Sequence, residues 1–519
     1  MSVGQVLSES SQQTPNYVLR ILGHLEADPA KTAVYSWDGD LTAAEFHRLI
    51  TDAAVSLAGA GVGPTDTVAV LTEPNSPAML AARYAAHLLG AAVIHIRSMN
   101  ARSDEDELPA AEQARLLQTT GARVVLADEP NSPRGQVLCN GRAGTVLLIL
   151  DHAATTSGGT DLPTAAPFVP ENPAVVDLTS GTTGSPKLVR RSFGVRGRLV
   201  DLSFGSLPPE HRPTLLLVTP ISHATATMAD AALAAGGSIV LHNGFDVHDV
   251  LHALAEHRVT DTYLAVPHLY QLIDSPGIDR ASFPFLRQVL YSGTAAAPSR
   301  TAKASQVFGD TLVQLYGSTE AGGMCTLIPL DHYEPELLPS VGRPFPWVEM
   351  EIWRPDSQEP VGRGATGEIC VRSPTLMDGY LGEGDRAALT AAGDWLRTGD
   401  LGHWDKYGYL HLVGRIGDVV KVHGIKVHPA AVQEVLLNHP DVANAVVYGT
   451  RGAEFIERLE AAVELRGSAR FSDDELRSHI AAELTAAHVP DAFHRWAEIP
   501  LTPSGKPDYA HLRGQKEAQ

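Results

Sequence analysis

Short hydrophobic runs alternate with helical patterns along most of the chain. Thr67–Leu71 is an apolar run of the kind that forms a buried strand, and the alanine-rich segment Pro77–Leu89 follows it. Gly90 stands where a helix over that segment would end, and Ala91–Ile96 is the next apolar run. The same pattern predicts strands over 123–127, 214–218, 238–241 and 288–291, and helices over 249–258 and 298–308. This alternation is typical of layered α/β structure.

The pattern changes after about Gly342. Short strands are predicted over 348–352, 367–371 and 409–413. Beyond Gly414-Arg415 the signals are strands over 419–422 and 443–448, and helices over 430–437 and 473–484. We therefore predict an α/β fold with two domains. Residues 1–414 would form αβ-layered subdomains with a β-rich subdomain, and residues 415–519 a small mobile α+β domain.

Length and charge narrow the class of protein. The 519 residues suffice for more than one hydrophobic core. The 60 acidic and 40 basic side chains give a net charge of −20, so neither nucleic acid nor an anionic membrane is expected as a partner. The chain shows neither a signal-peptide pattern nor an apolar stretch of the roughly 18 residues that a membrane span needs. We expect a soluble cytoplasmic protein.

The cysteines and histidines show no metal-site spacing. Cys139, Cys325 and Cys370 lie far apart and fit neither a disulfide framework nor a zinc site. The 22 histidines include no pair at the spacing of a metalloprotease helix. Free thiols and scattered histidines are the expectation.

One loop has the composition of a phosphate-binding site. The apolar run Ala174–Leu178 leads into Thr179 and then Ser180-Gly-Thr-Thr-Gly-Ser-Pro-Lys187. Its glycines let the backbone approach a ligand, while the hydroxyls and the lysine add donors and charge. The loop lacks the Gly-Lys-Ser/Thr ending of nucleotide triphosphatases. Considered alone, it could also be a flexible surface loop. The predicted nucleotide-binding residues of this loop are Thr179, Ser180, Gly181, Thr182, Thr183, Gly184 and Lys187.

This loop resembles the phosphate loop of the adenylate-forming superfamily, which includes acyl- and aryl-CoA ligases, amino-acid adenylation domains and luciferase. A second segment, Tyr316-Gly-Ser-Thr-Glu-Ala-Gly322, is similar to the second core motif of that superfamily. The resemblance implies that Thr319 contacts the α-phosphate and that Glu320 helps to hold Mg²⁺. A carboxylate beside a hydroxyl suits magnesium that bridges phosphates.

Three further segments follow in the order of the superfamily. Thr398-Gly-Asp400 resembles its ribose-binding motif, and Gly414-Arg415 begins its domain-junction motif. Pro500-Leu-Thr-Pro-Ser-Gly-Lys506 resembles the loop that carries its catalytic lysine. The resemblance implies that Asp400 binds the ribose hydroxyls, that Arg415 reaches the ribose or phosphates, and that Lys506 neutralises charge at the α-phosphate. It covers residues from about 30 to 510.

The implied reaction has two steps. A carboxylate attacks the α-phosphate of Mg-ATP to give an acyl-adenylate, and an acceptor then attacks the acyl carbon after the small domain rotates. Members of the superfamily usually carry Asp or Lys at the hinge, where this chain has Gly417. Glycine permits the rotation without a steric penalty, so the motion is expected here as well.

The acid pocket is expected from two segments. One follows Pro220-Ile-Ser-His223, and the other is Ser292-Gly-Thr-Ala-Ala-Ala297. His223 is predicted to contact the acid and to take part in catalysis, although it could also be structural. Amino-acid adenylation domains generally have aspartate where His223 falls, so an ordinary α-amino acid is disfavoured. Asp230, seven residues on, could pair with an amine on the substrate or could face solvent. The other predicted contacts are Gly293 and Tyr316 for the nucleotide, and Thr294, Ala295 and Gly317 for the acid.

The sequence says less about the acyl acceptor than about the adenylation step. Coenzyme A, a separate carrier protein and an amine all fit, and the segment Lys421-Val-His-Gly-Ile-Lys-Val-His-Pro429 favours coenzyme A because it resembles the CoA-ligase form. A nucleotide-binding protein that has lost catalysis is the alternative from another class. The presence of Glu320, Asp400 and Lys506 speaks against it.

Overall fold

The computed structural model describes residues 16–97, 107–140, 142, 144–150, 162–179, 187–204, 212–222, 224–355, 357–382, 395–422, 425–451, 457–467, 472–502 and 505–514. Ser180–Gly184 and His223 lie outside the described residues. The strands are β1 (Thr32–Ser36), β2 (Leu41–Thr42), β3 (Thr67–Leu71), β4 (Ala92–His95), β5 (Val124–Asp128), β6 (Val146–Leu150), β7 (Pro173–Thr179), β8 (Lys187–Ser192), β9 (Thr214–Leu217), β10 (Ser238–Leu241), β11 (Asp261–Ala265), β12 (Gln288–Ser292), β13 (Leu312–Ser318), β14 (Gly322–Leu327), β15 (Arg343–Pro344), β16 (Glu349–Trp353), β17 (Gly367–Arg372), β18 (Gly379–Tyr380), β19 (Leu396–Trp404), β20 (Leu410–Arg415), β21 (Val420–Val422), β22 (Ile425–Val427), β23 (Val442–Arg451), β24 (Glu457–Leu465) and β25 (Ala492–Trp496).

The α-helices lie between these strands. They are α1 (Tyr17–Ala27), α2 (Ala43–Gly59), α3 (Pro77–Leu88), α4 (Ala110–Thr120), α5 (Ser132–Cys139), α6 (Phe193–Phe204), α7 (Ala224–Ala234), α8 (Val247–Glu256), α9 (Val266–Asp274), α10 (Pro298–Phe308), α11 (Pro429–Leu437), α12 (Asp473–Glu483) and α13 (Tyr509–Gly514).

Two large sheets with parallel centres form the body of the molecule. One has the order β18-β8-β7-β4-β3-β5-β6, and the other β15-β14-β13-β12-β11-β9-β10-β1-β2. The central strands of both sheets pair in parallel. Antiparallel strands stand at both edges of the second sheet and at the β18-β8 edge of the first, whose other edge strand, β6, pairs in parallel with β5. A four-stranded antiparallel sheet, β16-β17-β19-β20, follows them. The expected β-rich subdomain after about Gly342 thus corresponds to this third sheet.

Helix α3 illustrates how the sequence specifies one of these layers. Ser76 caps it by accepting from the Met79 backbone N–H, and Pro77 fits the first helical position because its missing N–H is not needed there. Every residue of the helix is buried. Gly90, at φ +72, has the left-handed conformation that lets the chain turn into β4.

Helix α8 begins and ends two residues earlier than the pattern predicts. The side chain of Asp246 accepts hydrogen bonds from the backbone N–H groups of His248 and Asp249, which fixes the helix start. Arg258, expected to be helical, has a positive φ of 49° and lies beyond the end. Hydrophobic periodicity does not reveal capping hydrogen bonds, so the predicted ends of this helix differ from the observed ends by two residues.

The C-terminal part contributes two small sheets, β21-β22 and β23-β24-β25. Among the described residues, their strands pair only with each other. Side chains from this part, such as Val432 and Leu436, nevertheless pack in the same apolar cluster as Val266 and Leu269 of helix α9. The expected α/β fold with a large N-terminal and a small C-terminal domain is confirmed, while the boundary at residue 415 stays a prediction. No helix in the described part of the chain is long and apolar enough to cross a membrane.

Candidate active site

A cavity of about 1480 Å³ opens between the two large sheets, the third sheet and the C-terminal part. It lies at the carboxyl ends of parallel strands, where open α/β sheets commonly bind ligands. Thr179 ends β7, Ser292 ends β12 and Ser318 ends β13, and all three residues line it. Helix α11 and Lys506 close the side that the C-terminal part provides.

The base of the predicted phosphate loop faces this cavity. Thr179 and Lys187 are opposite one another in the antiparallel pair β7–β8, and both line the cavity. The Lys187 ammonium lies 4.7 Å from the ring centroid of Tyr380, a cation–π contact with strand β18. The predicted loop residues Ser180 to Gly184 lie outside the described residues.

The second motif turns at the end of β13. Thr319 and Glu320 form the tight connection to β14, and both line the cavity. The Tyr380 hydroxyl donates to Glu320 Oε1 at 3.0 Å, so the phosphate loop's lysine and Glu320 share one aromatic neighbour. Gly317 lines the cavity too, but a Cβ there would come 2.4 Å from the Gly322 carbonyl oxygen. The close approach of β13 to β14 therefore requires this glycine.

Arg191 is a residue of this region that the sequence reasoning missed. It is buried in β8 and donates both to the Asp177 carboxylate and to the backbone carbonyl of Thr319. The strand after the phosphate loop is thereby tied to the second motif. The only signal in the sequence is a pair of adjacent arginines, and strand alternation does not say which of the two points inward.

Asp400 and Arg415 are neighbours across strands β19 and β20. Arg415 Nε donates to Asp400 Oδ1 at 2.8 Å, and the Tyr316 hydroxyl donates to Asp400 Oδ2 at 2.7 Å. Burial and the Asp400 carboxylate raise the pKa of Tyr316, so the phenol stays protonated and donating. Each carboxylate oxygen keeps a second lone pair that can accept from a ligand hydroxyl. The structure thus brings three predicted residues from separate motifs together.

Lys506 enters the cavity from the C-terminal part. Its loop is closed by the Gly505 N–H, which donates to the Thr502 carbonyl at 2.8 Å. The Lys506 side chain keeps access to solvent in the cavity but lies among protein groups, and this burial lowers its pKa. Arg415 lowers the pKa further, whereas Glu320 and Asp400 oppose the shift. The lysine therefore stands near both acidic residues of the predicted nucleotide site.

The remaining wall of the cavity is largely apolar or hydroxyl-bearing. Predicted residues Gly293, Thr294 and Ala295 line it on the loop after β12, where Gly293 has a positive φ of 106°. A Cβ at Gly322 would lie 3.0 Å from Leu199 Cδ2, which shows how closely β14 approaches helix α6. Further wall residues on helices α6 and α7 are Leu202, Ser203, Thr225, Thr227 and Met228. The His223 prediction falls outside the described residues.

The structure corrects both interpretations of Asp230. The residue is fully buried and does not line the cavity. Arg83 Nη2 donates to its Oδ1 at 2.7 Å, and Arg196 Nε donates to its Oδ2 at 3.0 Å. Burial alone would raise the pKa of Asp230, but the two arginines outweigh it and lower the pKa to about 2. Asp230 is thus neither solvated nor available to a substrate amine.

Two models of AMP-binding enzyme domains match the chain. Residues 23–381 match the family model described as AMP-binding enzyme, and residues 431–506 match the AMP-binding enzyme C-terminal domain. The chain is 31% identical to feruloyl-CoA synthase of an Amycolatopsis species, over 92% of this chain and 94% of that protein.

Two other likenesses extend the comparison. The medium/long-chain-fatty-acid–CoA ligase FadD8 of Mycobacterium tuberculosis is 31% identical over 68% of this chain, a match that spans 62% of the ligase. The amide bond synthetase McbA from Marinactinospora thermotolerans superimposes with a TM-score of 0.82 and is 34% identical, covering 96% of this chain and 98% of that one. The chain therefore belongs to the AMP-binding enzyme family of the adenylate-forming superfamily, and it is an AMP-forming acid ligase.

Proposed function

We propose that this enzyme activates an aryl or acyl carboxylic acid as its acyl-adenylate and transfers the acyl group to coenzyme A. The observation that carries the proposal is the meeting of Lys187, Glu320, Asp400 and Lys506 in one cavity. These residues come from four separate sequence motifs that span more than 300 positions of the chain. Ammonium groups, a carboxylate that can bind Mg²⁺ and a second carboxylate that can accept hydrogen bonds from ribose hydroxyls suit a nucleoside triphosphate.

In the proposed nucleotide site, the loop from Thr179 to Lys187 surrounds the phosphates. Thr319 contacts the α-phosphate, and Asp400, held by Tyr316 and Arg415, accepts from the ribose hydroxyls. Glu320 would hold Mg²⁺, since its carboxylate lines the cavity and is oriented by the hydrogen bond that Oε1 accepts from Tyr380. The described residues contain no cluster of three or more metal-binding side chains. One carboxylate with phosphates and waters is a common set for Mg²⁺, which supplies charge neutralisation at the phosphates.

In the proposed first step, a substrate carboxylate oxygen forms a bond to the α-phosphorus while the bond to pyrophosphate breaks. The Lys506 ammonium faces the negative charge that develops there. In the second step the acceptor thiol attacks the acyl carbon and AMP leaves. Lys506 has no part in this second step.

The acid class follows from what the pocket wall offers. Leu199, Leu202 and Met228 are apolar, and Thr225 and Thr227 carry only hydroxyls. Asp230, on the same helix as Thr225 and Thr227, is already neutralised by two arginines. Among the described residues of the wall that α6 and α7 form, a substrate ammonium would find no free counter-ion, so an acid without an amino group fits best.

Coenzyme A as the acceptor is supported by the segment Lys421–Pro429 and by the likeness to feruloyl-CoA synthase. A second candidate, direct amide formation with an amine, is favoured by the 34% identity to the amide bond synthetase. Both share the first step and differ only in the nucleophile that takes the acyl group.

The test is acid-dependent exchange of labelled pyrophosphate into ATP across a panel of aryl, acyl and amino acids. Exchange with aryl or acyl acids and none with amino acids is the expected result. No exchange with any acid would contradict the proposal and favour a silent nucleotide-binding protein. Mass analysis after addition of coenzyme A, a carrier protein or an amine then identifies the acceptor by the thioester or amide formed.

A further inference from the structure

Thr227 is joined to the buried charge cluster behind the acid pocket. Thr227 lines the cavity and is only 8% exposed. Arg196 Nη1 donates to its hydroxyl oxygen at 2.8 Å, and the same guanidinium donates to Asp230. The threonine therefore stands between the cavity and two arginines that are each 1% exposed, Arg83 and Arg196.

The direction of this hydrogen bond fixes what the Thr227 hydroxyl can do next. A guanidinium only donates, so the threonine oxygen must be the acceptor. The hydroxyl proton is left over, and within the described part of the chain no protein acceptor takes it. Because Thr227 faces the cavity, a group of the bound acid can accept that proton.

The net charge of the buried cluster also favours a hydrogen-bond acceptor on the acid next to Thr227. Arg83 and Arg196 carry two positive charges against the single negative charge of Asp230. An excess positive charge in a buried environment polarises the hydroxyl that accepts from it and disfavours a substrate cation nearby. An electron-rich acceptor that carries no positive charge is the complementary group.

Thr225 provides a contrast on the same helix. It also lines the cavity, but its hydroxyl donates to the Pro220 carbonyl at 2.7 Å. Its proton is therefore used within the protein. Of these two threonines, only Thr227 is arranged as a donor toward a ligand.

We infer that Thr227 determines specificity by donating a hydrogen bond to an uncharged acceptor on the acid, such as an ether or carbonyl oxygen or a ring nitrogen. This inference rests on the proposed function, because it concerns the acid that is adenylated. It narrows the substrate class from aryl or acyl acids in general to those that carry such an acceptor away from the reacting carboxylate.

The experiment compares pairs of benzoic and cinnamic acids that bear a methoxy or an ethyl group at the same ring position. The two groups are similar in size, but only methoxy can accept. We expect kcat/KM for pyrophosphate exchange to favour the methoxy acid by roughly five- to tenfold at one position at least. Thr227→Ser should keep this ratio, and Thr227→Val should bring it within about twofold of unity.

Thr225→Val is the matched control, since it removes a hydroxyl from the same wall and should leave the ratio unchanged. A purely structural effect of Thr227→Val would lower kcat/KM for both acids of a pair equally, and a ratio retained in that variant would overturn the inference. It would also be overturned if the wild-type enzyme activated these acids without preferring any methoxy member. Failure of every acid to promote exchange would instead defeat the proposed function itself.

Discussion

Gly505 and Ala265 are in such close contact that a Cβ placed on Gly505 would come 2.2 Å from the Ala265 Cβ. Gly505 also has a positive φ of 73°, which favours glycine independently of the space available. The residue immediately before Lys506 thus docks against the end of strand β11 in the large N-terminal part. This contact holds the lysine loop in the position in which Lys506 lines the cavity.

Replacement of Gly505 should therefore affect one half-reaction more than the other. We expect Gly505→Ala to reduce acid-dependent pyrophosphate exchange by at least tenfold, because a methyl group prevents the loop from docking. Transfer of the acyl group from chemically prepared acyl-adenylate should be nearly unchanged.

Gly514→Ala serves as the control, since a Cβ at Gly514 meets no atom within 4 Å. Equal losses in exchange and in transfer for Gly505→Ala would point to general misfolding and would count against the docking explanation.

The lowered pKa of Lys506 predicts the pH dependence of the first step. Burial and Arg415 favour the neutral amine, so the ammonium should lose its proton below the ordinary lysine value of about 10.4. Exchange should therefore decline on the alkaline side as pH rises through this lowered pKa. Lys506→Arg should retain charge and lose that alkaline decline.

Removal of the charge should be far more damaging than any change of pH near neutrality. Lys506→Ala should lower the exchange rate by about 10²–10³-fold, the usual effect of losing one group that stabilises developing charge. The exposed Lys406 gives the control variant, Lys406→Ala, which should exchange normally. If Lys506→Ala exchanged pyrophosphate at the wild-type rate, Lys506 could not have the role of neutralising charge at the α-phosphate.

Glu320 should set the magnesium requirement. Glu320→Gln should raise the Mg²⁺ concentration needed for half-maximal exchange by about tenfold or more, because a neutral amide is a weaker ligand than a carboxylate. Tyr380→Phe, which removes only the hydrogen bond to Glu320 Oε1, should cause a smaller increase. Glu349→Gln, at an exposed ion pair with Arg372, is the control, and a magnesium dependence shared by all variants would refute the assignment.

Substitutions of Gly417 test whether the small domain rotates about this residue. A Cβ at this position has open space, so Gly417→Ala should be tolerated in the arrangement with Lys506 in the cavity. Gly417→Pro restricts the backbone and should spare exchange while it slows overall turnover. Comparison of the two rates in each variant is the measurement, and a proportional loss of both would argue against a hinge at this residue.

The buried cluster around Asp230 should matter for stability. Asp230→Asn leaves two buried guanidinium groups without their carboxylate and should cost about 3–5 kcal/mol in the free energy of unfolding, measured by urea denaturation. Asp201→Asn, at a partly exposed ion pair with Arg20, should cost less than about 1 kcal/mol.

The cluster also predicts the pH range in which Asp230 does not change the stability of the protein. Because the folded-state pKa of Asp230 is lowered to about 2, its contribution is complete above the unfolded-state value of about 3.9 and is lost as pH falls through 2. Asp230 should therefore not change the stability between pH 5 and 8. If ionisation of Asp230 changed the free energy of unfolding near neutral pH, that result would contradict the ion pairing.

The sequence by itself determined the family and most of the regular structure. Buried strands such as Thr67–Leu71 and a capped helix such as Pro77–Leu88 follow from local hydrophobic runs, and capping residues stand next to them in the chain. The motif residues Asp400 and Lys506 could be predicted because they occur in characteristic local segments in a fixed order. Local patterns predict local structure since the bonds involved join near neighbours.

Only the tertiary structure decided which partners these residues meet. Asp230 lies on helix α7, but its partners Arg83 and Arg196 are 147 and 34 residues away in sequence, and no periodicity shows which helix face they occupy. The docking of Gly505 against Ala265, and hence the position of Lys506, depends equally on the packing of distant segments. Packing made Asp230 an internal counter-ion and placed Thr227, three residues earlier on the same helix, against the cavity.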